Sequence, residues 1–254
     1  MAPGPSVIRT TFFSLSHDVV AGLEKQSVET NFFQLIDDEA AKVRRKLAAY
    51  GVASLTERER LEWSRFLVSL IARQPRMVAK VRQEAPAYLR ESLMAHPEEY
   101  EEVRAEAGPA DLVEWTEEQH PHLIDNFGVP LLAKLTDDLG MREQFSSLRW
   151  VLIDVSLGGR NLLLSDYPLL LEGRLDENGF YLSLPISPTQ LFVGYRDEKF
   201  RLALSQTSAR QLSLRSNTNA VRRATERVIS VDGADMAFVV EQWAANPPIP
   251  KEAV

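Results

Sequence analysis

Ser165 and Asp166 stand together at the end of an apolar run and are followed by Tyr167 and Pro168. A hydroxyl beside a carboxylate at a strand end suits two kinds of chemistry. The carboxylate can hold a divalent ion or activate water, and the hydroxyl can act as a nucleophile when a base lies against it. No base is adjacent in sequence, although His17, followed by Asp18, would form an orienting pair if folding carried it there. The same residue types also build turns, because Ser and Asp side chains accept hydrogen bonds from nearby backbone N–H groups. A second strand-like run, 181–188, ends in Ser187-Pro188. The ends of 161–168 and 184–188, with Asn161 among them, would frame one ligand site if they met, or serve as two tight turns if they did not.

Other residues are candidates for charge-based roles. Glu29 is the helix carboxylate that would join Asp166 around a divalent ion in a hydrolase or nuclease-like centre. Glu29 and Glu39 lie ten positions apart, a rotation of about 1000 degrees or about 80 degrees modulo a turn, so they do not share one helix face. Arg73 and Arg76 flank Pro75 and read either as an anion clamp or as a solvated helix end. Arg210, Arg215, Arg222, Arg223 and Arg227 concentrate positive charge, with Asn217 and Asn219 among them. This stretch is where an anionic ligand or a nucleic acid would bind. His120 and His122 follow Glu117 and Glu118, but no third imidazole or thiolate is near them, so a structural role is favoured over a metal site. Walker, Rossmann, nucleophile-elbow and helical His-Glu-x-x-His patterns are absent, and no motif names a cofactor or a metal.

The 254 residues suffice for a substantial core. Apolar residues make up 44% and no run approaches the length of a membrane span, so no membrane role is expected. The formal net charge is -7, from 29 basic and 36 acidic residues, which disfavours nucleic acid outside the arginine-rich stretch. With no cysteine, thiolate chemistry and disulfides are excluded, and a cytoplasmic location fits. A homo-oligomer is compatible with all of this.

The elements that must position these residues change character near position 148. Before it, apolar spacing predicts helices over 27–50, capped by Ser27 and stopped by Gly51, then from Glu57 until Pro75, and over 77–93 with a perturbation at Pro86. The acidic stretch 98–118 reads as a solvated connector, and 121–140 as one or two short helices broken near Gly128 and Pro130. After position 148, strands are predicted at 150–155, 161–165, 180–186, 190–195 and 227–231, the first two as a hairpin around Gly158-Gly159. A further strand is expected at 8–13, with helices over 205–225 and 235–245. Trp150 is expected in the core. Strands without crossover helices favour α+β: an N-terminal helical layer packed with a largely antiparallel C-terminal sheet and flanking helices. The chain reads as one compact domain, divisible into a helical part 25–145 and a sheet-bearing part 146–246, with a tail at 247–254.

Several pieces together resemble an uncharacterised bacterial family, domain of unknown function 4238. They are the helix from Glu29 to Leu47, the segment from Trp63 to Arg76 with its Arg73-Gln74-Pro75-Arg76, Ser165-Asp166-Tyr167-Pro168, Leu184-Pro185-Ile186-Ser187-Pro188, and Asn219. The family opens on a histidine-bearing, aromatic-rich segment, whereas 7–15 here lacks that histidine. A centre built on it would be missing from this chain. The resemblance supplies no reaction, so two readings compete: a metal-dependent hydrolase using Asp166 and Glu29, and a non-catalytic module that binds an anion.

Overall fold

A computed structural model of the protein describes residues 21–95, 97–101, 104 and 108–245. The strand expected at 8–13, the pair His17 and Asp18, and the tail at 247–254 lie outside the described residues. Helix α1 (Ala21–Tyr50) stops where Gly51 takes a φ of 74°, a conformation that a side chain disfavours. It starts before Ser27, so Ser27 does not cap it. Helix α2 (Glu57–Ala72) begins with a capping box in which Thr56 and Glu59 satisfy each other's backbone N–H. Pro75 then occupies the first position of α3 (Pro75–Met94), where its missing N–H costs nothing, and Pro86 is carried inside that helix.

The acidic stretch is not only a connector. It contains α4 (Pro97–Glu101) and α5 (Leu112–Gln119), and Arg90 of α3 pairs with Glu117 of α5 at 3.2 Å. Helix α6 (Gly128–Thr136) starts at the expected break, with Pro130 tolerated in its first turn. Helix α7 (Leu139–Ser146) delivers the chain to the sheet.

The main sheet has strands β1 (Arg149–Asp154), β3 (Leu170–Glu172), β4 (Tyr181–Ser187) and β5 (Gln190–Tyr195), in the order β1-β5-β4-β3, antiparallel throughout. The expected hairpin of 150–155 with 161–165 does not form, because β1 pairs with β5 instead. Strand β2 (Leu164–Ser165) pairs with β6 (Val228–Ile229) in a separate two-stranded sheet. Helices α8 (Glu198–Ser205), α9 (Ala209–Arg223) and α10 (Met236–Ala245) complete an α+β architecture. The helix expected over 205–225 therefore starts at Ser208, which caps α9, and α8 is a separate helix.

Both faces of the sheet are covered, which explains why β4 and β5 are apolar at nearly every position. Leu152, Phe192 and Leu184 share one row of the register and meet Trp63 and Leu67 of α2. Trp63, 1% exposed, stands edge-on to Phe192 with ring centroids 5.5 Å apart. Burying the Phe192 side chain completely stabilises by about 1.5–3 kcal/mol. Trp150 belongs to the same core, and Arg60 stacks on it while donating to the carbonyls of Ser146 and Leu148. On the opposite face Val193, Leu191 and Tyr195 meet Phe200 and Leu204 of α8 and Leu212 of α9. Among the described residues, no helix is long and apolar enough to cross a membrane.

Candidate functional site

The run Ser165-Asp166-Tyr167-Pro168 is held by a network of hydrogen bonds. Ser165 is buried, and its Oγ accepts the Tyr167 N–H at 3.2 Å, which tightens the bend. The Asp166 carboxylate accepts the backbone N–H groups of Thr225 and Glu226, both at 3.0 Å, and the Thr225 hydroxyl. Its own N–H donates to the Arg227 carbonyl. Asp166 thus clamps the end of β2 to the segment between α9 and β6, rather than capping its own turn. The Tyr167 phenol oxygen accepts the Arg76 N–H at 3.1 Å, satisfying one of the orphan donors in the first turn of α3. Two sequence pieces 91 residues apart, Arg73 to Arg76 and Ser165 to Pro168, are joined through this bond.

Asn217 supplies a second fixing point. It is fully buried; its Oδ1 accepts the Leu163 N–H at 2.9 Å and its Nδ2 donates to the Asn161 carbonyl at 2.8 Å. The amide takes the place of a neighbouring strand beside Asn161 and Leu163, while the Leu162 N–H between them donates to the Pro188 carbonyl at 2.7 Å. Asn161 therefore contributes its backbone to this joint, and it does not line the cavities described next.

Two hollows meet where α9 crosses the sheet. The first, about 90 Å3, lies between β4 and β5 on one side and α8 and α9 on the other. The second, about 20 Å3, is bounded by Ser165, Tyr167, Pro168, Pro185 and Arg223. Leu170, Ser183, Ser216 and Asn219 line both, so they form the neck between them. Strand β3 pairs with β4 only as far as Ser183, and a bulge separates Pro185 from Ser187. Pro185 has no N–H to offer beyond that point, and the open edge admits the Tyr167-Pro168 bend. The ends of 161–168 and 184–188 do meet, and Asn219 meets them.

Helix α9 presents two stripes. Ser213, Asn217 and Val221 are buried, while Leu212, Arg215, Ser216, Asn219 and Arg223 line the hollows at spacings of three and four. Ser183 is only 8% exposed, and its hydroxyl has no hydrogen-bond partner among the described residues. The Asn219 amide likewise bonds to no described residue. Arg215 lines the outer hollow and donates to the Tyr181 hydroxyl at 3.0 Å, with no carboxylate in ion-pair reach among the described residues. Burial raises the Tyr181 phenol pKa, against the pull of Arg215, so the phenol keeps its proton and can donate it. Arg223 differs, being paired with Glu172 at 3.7 Å.

The remaining candidates do not join this group. Arg73 forks onto the Asp37 carboxylate at 2.8 and 2.9 Å and bonds Ser69, so its guanidinium ties α2 to α1 and is not open as an anion clamp. Arg76 engages through its backbone, and its side chain is exposed. Arg222 is exposed and lines neither hollow. Glu29 lies within α1, but its side chain is outside the described residues. Among the described residues, no three His, Asp or Glu side chains gather as a metal site would require. Ser183, Tyr181 and Ser216 were not singled out in the sequence, although the stripe on α9 was readable from its period.

An α+β fold with a polar neck between two strand ends defines the class, and Ser165, Tyr167, Pro168, Pro185 and Asn219, which border it, belong to the pieces that carried the resemblance. The chain belongs to the family described as protein of unknown function (DUF4238), which matches residues 7–234. No curated protein and no solved structure matches the chain.

Proposed function

We propose that this protein is a binding module for a small anionic ligand, received in the hollow between the β4–β5 face and helices α8 and α9. Arg215 takes the ligand's charge, and Ser183 and Asn219 take its neighbouring polar atoms. The observation that carries this reading is that Arg215, with no carboxylate partner among the described residues, shares one hollow with the Ser183 hydroxyl, which has no hydrogen-bond partner among them either. A guanidinium fork matches carboxylate or phosphate, and a hydroxyl and an amide beside it can bond the ligand's other polar atoms.

The alternative centred on Asp166 has less support. Both of its carboxylate oxygens already accept hydrogen bonds from residues 225 and 226, so a metal would have to compete with them. Asp166 lines neither hollow. We assign it, with Asn217, to positioning the neck, and Ser165 and Tyr167 to its wall. A nucleic acid is a poorer fit than a small anion, because Arg222 lines neither hollow and Arg223 is paired with Glu172.

The test is calorimetric titration with a panel of small carboxylates and phosphate esters. A ligand held by Arg215 loses about tenfold or more in affinity on Arg215→Gln, as expected for charge-assisted hydrogen bonds. Arg222→Gln leaves its affinity unchanged. Equal losses in the two variants, or none in either, would refute the assignment.

A further inference from the structure

The walls of the larger hollow differ in chemistry. Strand β5 and helix α8 contribute Leu191, Val193, Phe200 and Leu204, an apolar wall. Strand β4 and helix α9 contribute Tyr181, Ser183, Arg215 and Asn219, a polar wall. Along the polar wall the charge and the unpartnered groups are offset by one step. Ser183 is two residues from Tyr181, on the same strand face, and Asn219 is one helical turn from Arg215. A ligand whose charge rests on Arg215 and Tyr181 therefore presents its next atoms to Ser183 and Asn219.

The volume limits what fits. An apolar cavity of about 150 Å3 accepts benzene, and a single water needs roughly 10–15 Å3. At about 90 Å3 the hollow is smaller than a benzene-sized cavity and suits a short chain of a few carbons beyond a charged group at its mouth. The second hollow, about 20 Å3, has room for a single water and not for a longer tail.

From these walls we infer that the ligand is a short-chain carboxylate of about five carbons that bears a hydroxyl or oxo group next to the carboxylate. Its chain lies on the β5–α8 wall, and its second oxygen bonds Ser183 and Asn219. This inference rests on the anion-binding reading above and narrows it.

The experiment uses the full chain and two ligand series. The first is straight-chain carboxylates from acetate to decanoate. Affinity rises about fourfold per methylene, the equivalent of one buried CH2, up to about five carbons and then levels or falls. The second compares pentanoate with 2-hydroxypentanoate and 2-oxopentanoate. The added oxygen strengthens binding about two- to tenfold, as one net hydrogen bond does. That gain disappears in Asn219→Ala and in Ser183→Ala, while in Arg222→Gln, outside both hollows, it is retained. If carboxylates bind through Arg215 but neither chain length nor the second oxygen matters, this inference is overturned and the anion-binding reading stands. If no carboxylate binds but a phosphate ester does, and does so through Arg215, the inference is again overturned alone. If nothing in the panel depends on Arg215, both are overturned.

Discussion

Asn217 and Asn219 are two positions apart on α9, yet the two side chains have opposite roles, and replacing each by alanine separates them. In Asn217→Ala the Leu163 N–H and the Asn161 carbonyl both lose their partner. Leu163 is fully buried, so its N–H cannot recover the bond from water. Leaving a buried donor unsatisfied costs about 1–3 kcal/mol, and the second lost bond adds about 0.5–1.5 kcal/mol. A total of about 2–4 kcal/mol follows, or roughly 4–16 °C in Tm at about 2–4 °C per kcal/mol for a chain of this size. Asn219→Ala breaks no hydrogen bond to a described residue and should stay within about 0.5 kcal/mol of the parent. Urea unfolding followed by circular dichroism measures both, and similar m-values would show that the difference reflects the folded state. A loss below 1 kcal/mol in Asn217→Ala would refute the argument that its amide substitutes for a strand. A large loss in Asn219→Ala would refute the claim that Asn219 is reserved for a ligand.

Further outcomes follow from the same geometry. Asp166→Ala should lower stability by about 2–3 kcal/mol in denaturant titrations, because two backbone N–H groups and a hydroxyl lose a charged acceptor. An unchanged midpoint would leave the carboxylate free for another task. Gly158→Ala places a Cβ 2.7 Å from Ser213 Oγ and 2.9 Å from the Ala209 carbonyl, so α9 must move, at about 1–3 kcal/mol by thermal melting. The Glu59 carboxyl is held down at about 2, from an ordinary 4.5, first by Lys46 and then by the Thr56 backbone. Its contribution is complete above pH 4.5 and is lost as pH falls toward 2, so Glu59→Gln should flatten the acid limb of a stability–pH profile over that window. An acid limb as steep as the parent's would contradict the pairing of Glu59 with Lys46.

Local signals were legible in the sequence, and long-range pairing was not. Gly51, the Thr56–Glu59 box and Pro75 mark helix boundaries through chemistry confined to a few residues. The strands at 150–155, 180–186 and 190–195 are visible from their apolar content, and the β4–β5 hairpin from its Ser187-Pro188 turn. The partner of residues 161–165 was hidden, because the turn at Gly158-Gly159 suggested a hairpin with β1. Asn217 instead satisfies the Asn161 carbonyl and the Leu163 N–H, the Pro188 carbonyl accepts the Leu162 N–H, and β2 pairs with β6 through Leu164 with Ile229 and Ser165 with Val228. No local pattern encodes a side-chain amide standing in for a strand. Helix α8 was overlooked although Asp197 caps it and Phe200, Ala203 and Leu204 recur at helical spacing. For the site, the meeting of the two strand ends with Asn219 was readable as a hypothesis. The diversion of Asp166 and Arg73 into structural bonds was not, since their partners Thr225 and Asp37 are remote in sequence.

The central claim is that the hollow between the β4–β5 face and helices α8 and α9 receives an anion on Arg215. Methyl-labelled NMR during titration with 2-hydroxypentanoate tests it most directly. The account predicts saturable shifts of the Leu191, Val193, Leu204 and Leu212 methyl groups with one common dissociation constant, abolished by Arg215→Gln. Shifts confined to other methyl groups, or persisting in that variant, would contradict it.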